Sequence, residues 1–382
     1  MSDDFFNNFV DAEPQQQNSP PPSDRRGGPA PRQGQPPQPP QAPIPDDLDP
    51  DAYEQQPRQE PPGRHQMAGP GEAPGVSQIR AGDLIKRHRE RPTRGARKWL
   101  MASTFNTINP GQSKDEKYEN FLISKADRDL RNPHRTAIWT IKGGVFKTPL
   151  TLGLGSAFAH YRNDRIIALD ANPDRGNMVD RMEHPTVMNF RTLVNDPNIH
   201  KVNDVRAHTA KSSVGLEAVG SVSNLGDNNE ITGDEYKQLL ETVERFYDVI
   251  LTDCGTASGH DVMATVFANT DQLIVPTTTK VDTASKARDT LEWLRLNGYE
   301  ALAAKAIVVI SDAHDNATKD SIASLKETFG GNQRRVRVVP YDPHIDEGTA
   351  FIWDRLQPAT QRALLEIAAD VSDGFAEAGG HR

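Results

Sequence analysis

One short glycine-rich stretch carries residue types that can bind phosphate. It reads Ile141-Lys-Gly-Gly-Val-Phe-Lys-Thr148 and stands between an apolar run and a helix-forming run. Backbone N–H groups of such a turn point toward an anion, and the positive end of the next helix dipole adds to the attraction. In loops of this kind a lysine bridges the outer phosphates and a hydroxyl ligates Mg²⁺. Gly143 and Gly144 supply the turn, Lys147 the charge and Thr148 the hydroxyl.

Two aspartates stand at the ends of later apolar runs and are the natural acidic partners of this loop. Asp170 ends the run Arg165–Asp170, and Asp253 ends the run Asp248–Asp253. Each feature taken alone has a structural explanation, because a Gly-Gly turn forms without a ligand and an aspartate after a strand often caps a helix. Their joint occurrence at strand ends favours a common phosphate and metal site.

The elements that must position these residues alternate between strand and helix. Helical stretches such as 150–158 and 285–294 separate short β-branched runs, most of them apolar without strict alternation, at 136–141, 165–170, 248–253, 271–275, 305–310 and 336–339. Apolar strands of this kind are covered on both faces. The order strand, helix, strand therefore predicts an α/β fold with a mostly parallel sheet and helices on both faces.

Composition divides the 382 residues into four regions. Eighteen of the 29 prolines lie in residues 1–75, and such a composition has too little apolar surface to offset the entropy of ordering. We predict a disordered, acidic Pro/Gln-rich tail over 1–79, a basic linker and connecting segment over 80–131, an α/β domain over 132–378 and a short tail over 379–382. The net charge is −9, and the single cysteine, Cys254, excludes an intramolecular disulfide. The chain has neither a signal-peptide pattern nor 18 consecutive apolar residues, so we expect a cytoplasmic protein.

The two N-terminal regions leave alternatives open. Residues 80–98 hold eight Lys and Arg against two acids. Such a run contacts nucleic acid or anionic lipid, or it is a solvated linker that pairs with acids of its own chain. The apolar cluster Phe5–Val10 is the one such cluster in the acidic tail. It is either a segment that folds onto a protein partner or an isolated apolar patch.

The loop 142–148 resembles the phosphate loop of the MinD/ParA ATPases, the P-loop proteins with a deviant Walker A motif. The resemblance covers most of 132–375: Asp170–Gly176 is similar to the first switch of that family, Asp248–Gly255 to its Walker B strand, and Val339–Pro343 to its C-terminal part. Together with the Pro-rich tail and the arginine-rich linker, these segments look like the accessory proteins of actinobacterial type VII secretion systems, the EspI-like group.

The resemblance implies ATP and Mg²⁺ as cofactors and a nucleotide-dependent homodimer. It implies that Lys142 reaches the phosphates of the partner subunit and that Asp170 acts as an acid on the Mg²⁺ side. The nucleotide would be held by the following residues: Lys142, Gly143, Gly144, Val145, Lys147 and Thr148. The Mg²⁺ ion would be held by Thr148 and, through a water molecule, by Asp253.

Three positions depart from the pattern of this family. Phe146 replaces a glycine that lies against the phosphates, and its ring is expected to occupy ligand volume or to displace the loop. Pro149 replaces Thr or Ser in the first helical turn and removes one N–H donor. Asn172 replaces a second aspartate of the switch, although the secretion-associated group also carries Asn there, and an amide cannot act as a general base. ATP turnover is therefore in question.

Three functions are consistent with the sequence. The first is a MinD/ParA-like ATPase that assists or regulates type VII secretion, with impaired hydrolysis. The second is a non-hydrolysing scaffold of the same fold that recruits protein partners through the Pro-rich tail. The third is a DNA-partition ATPase, suggested by residues 80–98 and by Arg334, Arg335 and Arg337. Residues 364–375 carry acids and no Lys or Arg, so we expect no direct membrane insertion or binding through this stretch.

Overall fold

The computed structural model describes residues 103, 112–172, 176–221, 231–256, 259, 261–313, 315–331 and 334–375. Three predicted segments lie outside the described residues, namely the tail over 1–79, the basic run over 80–98 and the C-terminal residues 379–382. What the sequence predicts for these segments stays a prediction.

Eight strands form one sheet over the described residues. They are β1 (His134–Ile138), β2 (Ile166–Ala171), β3 (Ala210–Lys211), β4 (Glu217–Val219), β5 (Val249–Cys254), β6 (Gln272–Thr278), β7 (Ile307–Ser311) and β8 (Val336–Val339). Their order is β3-β4-β2-β5-β1-β6-β7-β8. The β3–β4 pair is antiparallel, and the other pairs are parallel. The predicted mostly parallel α/β sheet is confirmed.

Helices lie between most of these strands, as the predicted alternation of strand and helix requires, and a turn joins β3 to β4. The helices are α1 (Lys114–Ala126), α2 (Lys147–Tyr161), α3 (Phe190–Val194), α4 (Val202–Arg206), α5 (Gly233–Val243), α6 (Asp261–Ala268), α7 (Val281–Leu296), α8 (Glu300–Lys305), α9 (Lys319–Gly330), α10 (Pro343–Asp346) and α11 (Pro358–Ser372). Short 3₁₀ helices cover Val179–Arg181 and Trp353–Arg355.

The core consists of two hydrophobic clusters, one on each face of the sheet. Alternate residues of a strand point to opposite faces, so Ile138 joins one cluster and Trp139 the other. The first cluster includes side chains of α1, α2 and α11, and the second includes side chains of α5, α6, α7 and α9. Every residue of β2, β5 and β6 is buried. Coverage of both faces explains why these strands are apolar without alternation.

Helix α1 lies before the predicted start of the domain at 132 and nevertheless belongs to the packed core. Tyr118, Leu122 and Ala126 are buried in the first cluster. The Ser113 side chain accepts a hydrogen bond from the Glu116 N–H and caps the helix. Burial of these apolar side chains, more than helix propensity, stabilises a helix of this length. The packed domain therefore extends N-terminally to at least α1.

No helix in the described part of the chain is long and apolar enough to cross a membrane.

Candidate functional site

The carboxyl ends of three adjacent strands bring the predicted site residues together. β5 pairs with β1 on one side and with β2 on the other. The glycine-rich loop follows β1, Asp170 lies in β2 and Asp253 lies in β5. The strand register sets Asp170 beside Asp253. Open α/β sheets bind their ligands at this end of the strands, so the topology places the predicted residues where a ligand site is expected.

The loop retains left-handed backbone at two positions. Gly144 has φ of 69°, which glycine adopts without cost. Phe146 has φ of 74° and directly precedes α2. A bulky residue at positive φ is strained by about 1–3 kcal/mol, and such residues concentrate at functional sites. The Phe146 carbonyl accepts the Leu150 N–H at 3.0 Å, so the helix begins normally after this residue.

A cavity of about 280 Å³ opens above this loop. We call it the phosphate-loop cavity. The Phe146 side chain is half-buried and packs against the first hydrophobic cluster, while the residue also lines the cavity. The loop thus accommodates Phe146 in the left-handed backbone conformation that glycine favours, and the cavity above the loop stays open. The cavity is lined by Gly143, Gly144, Val145, Phe146, Lys147, Thr148, Pro149, Asn172, Asn177, Arg181, Gly255 and Thr256.

Thr148 and Asp253 are in direct contact in the structure. The Thr148 hydroxyl donates to Asp253 Oδ2 at 2.5 Å. The other oxygen, Asp253 Oδ1, is buried and has no hydrogen-bond partner in the described part of the chain. Burial raises the pKa of Asp253, although the Thr148 hydrogen bond and Lys147 oppose the shift. A carboxylate held in this way has the ligand capacity that a hydrated cation would use.

Lys147 lies over the loop that precedes it. Its Nζ donates to the Lys142 carbonyl oxygen at 3.1 Å. Burial lowers the pKa of Lys147, and the Asp253 carboxylate counteracts this shift. A desolvated ammonium with a single neutral acceptor is incompletely compensated, and a phosphate group would provide the missing negative charge.

Asp170 is fully buried and is held by the backbone of its own switch segment. Its Oδ1 accepts the Asn172 N–H at 3.1 Å, and its Oδ2 accepts the Met178 N–H at 3.4 Å. A Cβ on Gly176 would come within 1.9 Å of Asp170 Oδ2, so this position requires glycine. Burial and the neighbouring Asp253 raise the pKa of Asp170.

The remaining predicted residues occupy distinct places. The Lys142 Nζ lies 3.6 Å from Asp282 Oδ2, and both side chains are largely exposed. Such a pair contributes about 0–1 kcal/mol, so Lys142 can leave it at little cost. The Val145 side chain is buried in the core, and only its backbone is available to a ligand.

Sequence reasoning missed three residues that line the cavity, namely Asn177, Arg181 and Thr256. The signal available in the sequence was their closeness to Asp170–Gly176 and to Asp253. Spacing alone does not indicate which side of a turn faces the loop.

Two of the three arginines that suggested DNA binding pair with carboxylates of the domain, and the third, Arg334, donates to a backbone carbonyl while its buried Nε has no partner among the described residues. Arg337 donates to both oxygens of Asp370, at 2.6 and 2.9 Å. Arg335 lies 2.6 Å from Asp373, and Arg334 donates to the Ala303 carbonyl at 3.2 Å. The acids of the C-terminal helix therefore face arginines of their own domain.

No protein-family model matches the chain. The chain is 35% identical over 288 residues to the ESX-1 secretion-associated protein EspI of Mycobacterium tuberculosis, in strains CDC 1551 / Oshkosh and H37Rv. The chain is a homologue of EspI over this region. The aligned region comprises 75% of this chain and 43% of EspI, so the chain spans less than half the length of these relatives. The predicted resemblance to the EspI-like group is confirmed.

Solved structures of two ATPases also resemble the domain. The ParA family ATPase from Chlorobium tepidum has a TM-score of 0.48 at 14% identity, covering 65% of this chain and 98% of that chain. The MinD cell-division ATPase from Pyrococcus furiosus has a TM-score of 0.48 at 16% identity, covering 63% of this chain and 98% of that chain. Because the identities and scores are low, the strand order and the loop geometry described above carry the fold assignment.

Proposed function

We propose that the phosphate-loop cavity binds a Mg²⁺-nucleotide, with ATP as the favoured ligand, and that the chain is a cytoplasmic accessory of a type VII secretion system that hydrolyses ATP slowly. The observation that carries the proposal is the contact between the half-buried Thr148 and the buried Asp253 at the glycine-rich loop, with Asp253 Oδ1 left without a partner among the described residues.

The residues fit the cofactor in distinct roles. The backbone N–H groups of Gly143, Gly144 and Val145 and the Lys147 ammonium would hold the phosphates. Thr148 and, through water, Asp253 would hold Mg²⁺, which supplies charge neutralisation on the phosphate oxygens when bound. The described residues contain no cluster of three or more His, Cys, Asp or Glu that could hold a metal. Binding of Mg²⁺ would therefore depend on the oxygens of the nucleotide.

Slow hydrolysis follows from the groups around the cavity. Asn172 lines it and cannot accept a proton as a base. Both oxygens of Asp170 accept backbone N–H groups, which occupies part of their capacity to orient a water molecule. Pro149 presents no N–H, and the loss of a charge-assisted hydrogen bond costs about 1.5–3 kcal/mol. These features support nucleotide binding more strongly than turnover.

The link to secretion is supported by homology. The curated relatives are described as ESX-1 secretion-associated, and the matched region of this chain contains most of the folded domain. We propose that a protein partner is recruited through the N-terminal tail and that ATP promotes a homodimer through Lys142. Light scattering with and without Mg²⁺-ATP tests the dimer, and Lys142→Ala is expected to keep the chain monomeric.

A second candidate function is a non-hydrolysing scaffold of the same fold. Phe146 favours it, because a phenyl ring occupies a position where the related ATPases have glycine beside the phosphates. Under this alternative the domain contributes protein–protein contacts and the cavity stays without nucleotide. A DNA-partition role loses most of one of its two supports, since Arg335 and Arg337 pair with carboxylates within the domain.

Calorimetric titration of Mg²⁺-ATP and Mg²⁺-ADP separates the two candidates. We expect the wild-type chain to bind, Lys147→Met to lose at least tenfold in affinity, and Phe146→Gly to gain. Lys326→Met, on the exposed face of α9, is the matched control and should bind like wild type. Phosphate release measures turnover. Absence of binding by both wild type and Phe146→Gly at millimolar nucleotide would favour the scaffold.

A further inference from the structure

Arg181 brings a cation into the phosphate-loop cavity from outside the glycine-rich loop. It ends the 3₁₀ helix Val179–Arg181, which follows the segment that holds Asp170. Its backbone carbonyl accepts the Phe351 N–H at 2.7 Å, which ties this turn to the C-terminal part of the domain. The side chain is half-buried and lines the cavity. The position of Arg181 is therefore set by the fold.

The guanidinium of Arg181 is incompletely paired. Its Nη2 donates to the Ile345 carbonyl at 3.4 Å, a long and neutral contact. Its Nε is buried and has no hydrogen-bond partner among the residues that the structure describes. A guanidinium has five N–H donors, and burying them without acceptors is costly. An anion in the cavity would compensate the charge.

Arg337, in the same domain, is an arginine whose charge is compensated by carboxylates. It donates to both oxygens of Asp370 and lies 3.4 Å from Glu366. Arg181 makes no such ion pair with a carboxylate in the described part of the chain. Asp253, the carboxylate that acts on it electrostatically, already accepts the Thr148 hydroxyl.

We infer that Arg181 is a phosphate-contacting residue, a second cation beside Lys147 that binds the phosphate groups of the nucleotide. The inference rests on the proposed function. Guanidinium groups bind phosphate oxygens through paired N–H donors. A cation at this place also compensates for the N–H donor that Pro149 lacks. The chain thereby retains an anion site despite its altered loop.

This role makes affinity depend on the number of phosphates that the ligand carries. Arg181 should contribute to the binding of ATP and ADP and not to the binding of adenosine. A residue that merely supports the fold would affect all three ligands alike. The salt dependence of ATP binding should also weaken without Arg181, because one charge contact fewer is screened.

The experiment compares wild type, Arg181→Gln and Arg181→Lys, each prepared as the full chain. The matched control is Arg355→Gln, which removes an exposed arginine paired with Glu347. The titrants are Mg²⁺-ATP, Mg²⁺-ADP and adenosine, at low and at moderate salt, with thermal melting recorded for every variant. We expect Arg181→Gln to weaken ATP binding at least tenfold and to leave adenosine unchanged. Arg181→Lys should recover part of the loss, and Arg355→Gln should match wild type.

Three results would overturn the inference. Wild-type ATP affinity in both Arg181 variants would refute the role of Arg181 and leave the proposed function intact. An equal loss for ATP and adenosine, accompanied by a lower melting temperature, would assign Arg181 a structural role. Failure of the wild-type chain itself to bind nucleotide at millimolar concentration would refute the proposed function and this inference together. If Arg181→Gln does not fold, Arg181→Lys against Arg355→Lys provides the same comparison.

Discussion

Two charged regions of the domain differ in how far their charges are paired. One is the phosphate-loop cavity at the carboxyl ends of β1, β2 and β5. The other is a group of ion pairs that joins α1, β8 and α11, which we call the edge network: Lys125, Arg128, Arg335, Arg337, Glu366, Asp370 and Asp373. In the edge network cations meet carboxylates directly. In the cavity, Lys147 and Arg181 donate to backbone carbonyls, and buried nitrogen and oxygen atoms lack partners among the described residues.

The difference separates structural charge from ligand-binding charge. Asp370 is almost fully buried and is compensated by a bidentate guanidinium, so its burial is tolerated. Lys147 and Arg181 line the cavity without a comparable ion pair, and the buried Asp253 and Asp170 lie beneath the lining residue Thr148 and beside each other. Charges arranged in this way reduce stability in the free protein and increase the attraction for a bound ligand. Four sets of substitutions test this contrast.

The largest effect is expected from removing the central carboxylate of the edge network. Asp370→Ala removes the bidentate partner of Arg337 and leaves it only the longer pair with Glu366 at 3.4 Å, and breaking a buried pair costs about 3–5 kcal/mol. Urea denaturation should show the lower free energy of unfolding at an unchanged m-value. Asp373→Ala, in the more exposed part of the network, should cost about 1 kcal/mol. A smaller loss for Asp370→Ala than for Asp373→Ala would contradict this ranking.

His134, beside the edge network, should make the domain sensitive to acid. Both ring nitrogens are buried without a hydrogen-bond partner among the described residues, and the ring packs against Phe375 at 4.8 Å. Burial lowers the pKa of His134 to about 4. Because the unfolded chain takes up the proton first, stability is lost as the pH falls from about 6.5 toward 4, by about 3 kcal/mol. Stability curves of wild type and His134→Leu should diverge in this window, and parallel curves would refute the prediction.

Asp170→Asn should increase stability at the expense of the site. Burial and Asp253 raise the pKa of Asp170. Ionisation of Asp170 in the folded state is therefore unfavourable. Its contribution to the free energy of unfolding declines as the pH rises above the pKa of an aspartate in the unfolded chain, about 4. The amide keeps one acceptor oxygen, so one of the two backbone N–H groups that Asp170 accepts loses its acceptor, which offsets part of the gain from removing the charge. At pH 8 the amide variant should still be more stable than wild type by about 1–3 kcal/mol. Equal stability of the two proteins at pH 8, measured by urea denaturation, would show that the carboxylate is not strained by its surroundings.

The smallest change in stability is expected at Phe146. Phe146→Gly relieves the positive φ and removes the ring packing, so the two effects nearly cancel and the net change should stay within about 1 kcal/mol. Phe146→Ala removes the ring and keeps the strained backbone, and it should be less stable than the glycine variant by about 1 kcal/mol. Thermal melting of the two variants measures the difference. Alanine at least as stable as glycine would show that position 146 carries no strain.

Much of the fold could be predicted from local sequence. The run at 248–253 coincides with β5 to within one residue, because a strand buried on both faces needs continuous apolar sequence. The β-branched run at 336–339 coincides with the edge strand β8, since β-branched residues favour strands. The short strands β3 and β4 were not predicted. Each has at most three residues, too few for a period to be recognised, and pairing with β2 stabilises β4.

Residue type and local spacing specify the α/β alternation and the order of the loop, Asp170 and Asp253 along the chain. These features depend on residues within a single element. Which charges find partners, in contrast, depends on the packing of distant elements. Arg337 meets Asp370 across 33 residues of sequence, whereas Arg181 lines the cavity and its backbone carbonyl accepts a hydrogen bond from the distant Phe351. Pairing of this kind depends on how elements pack, and side-chain burial then determines whether a charge stabilises the fold or is available to a ligand.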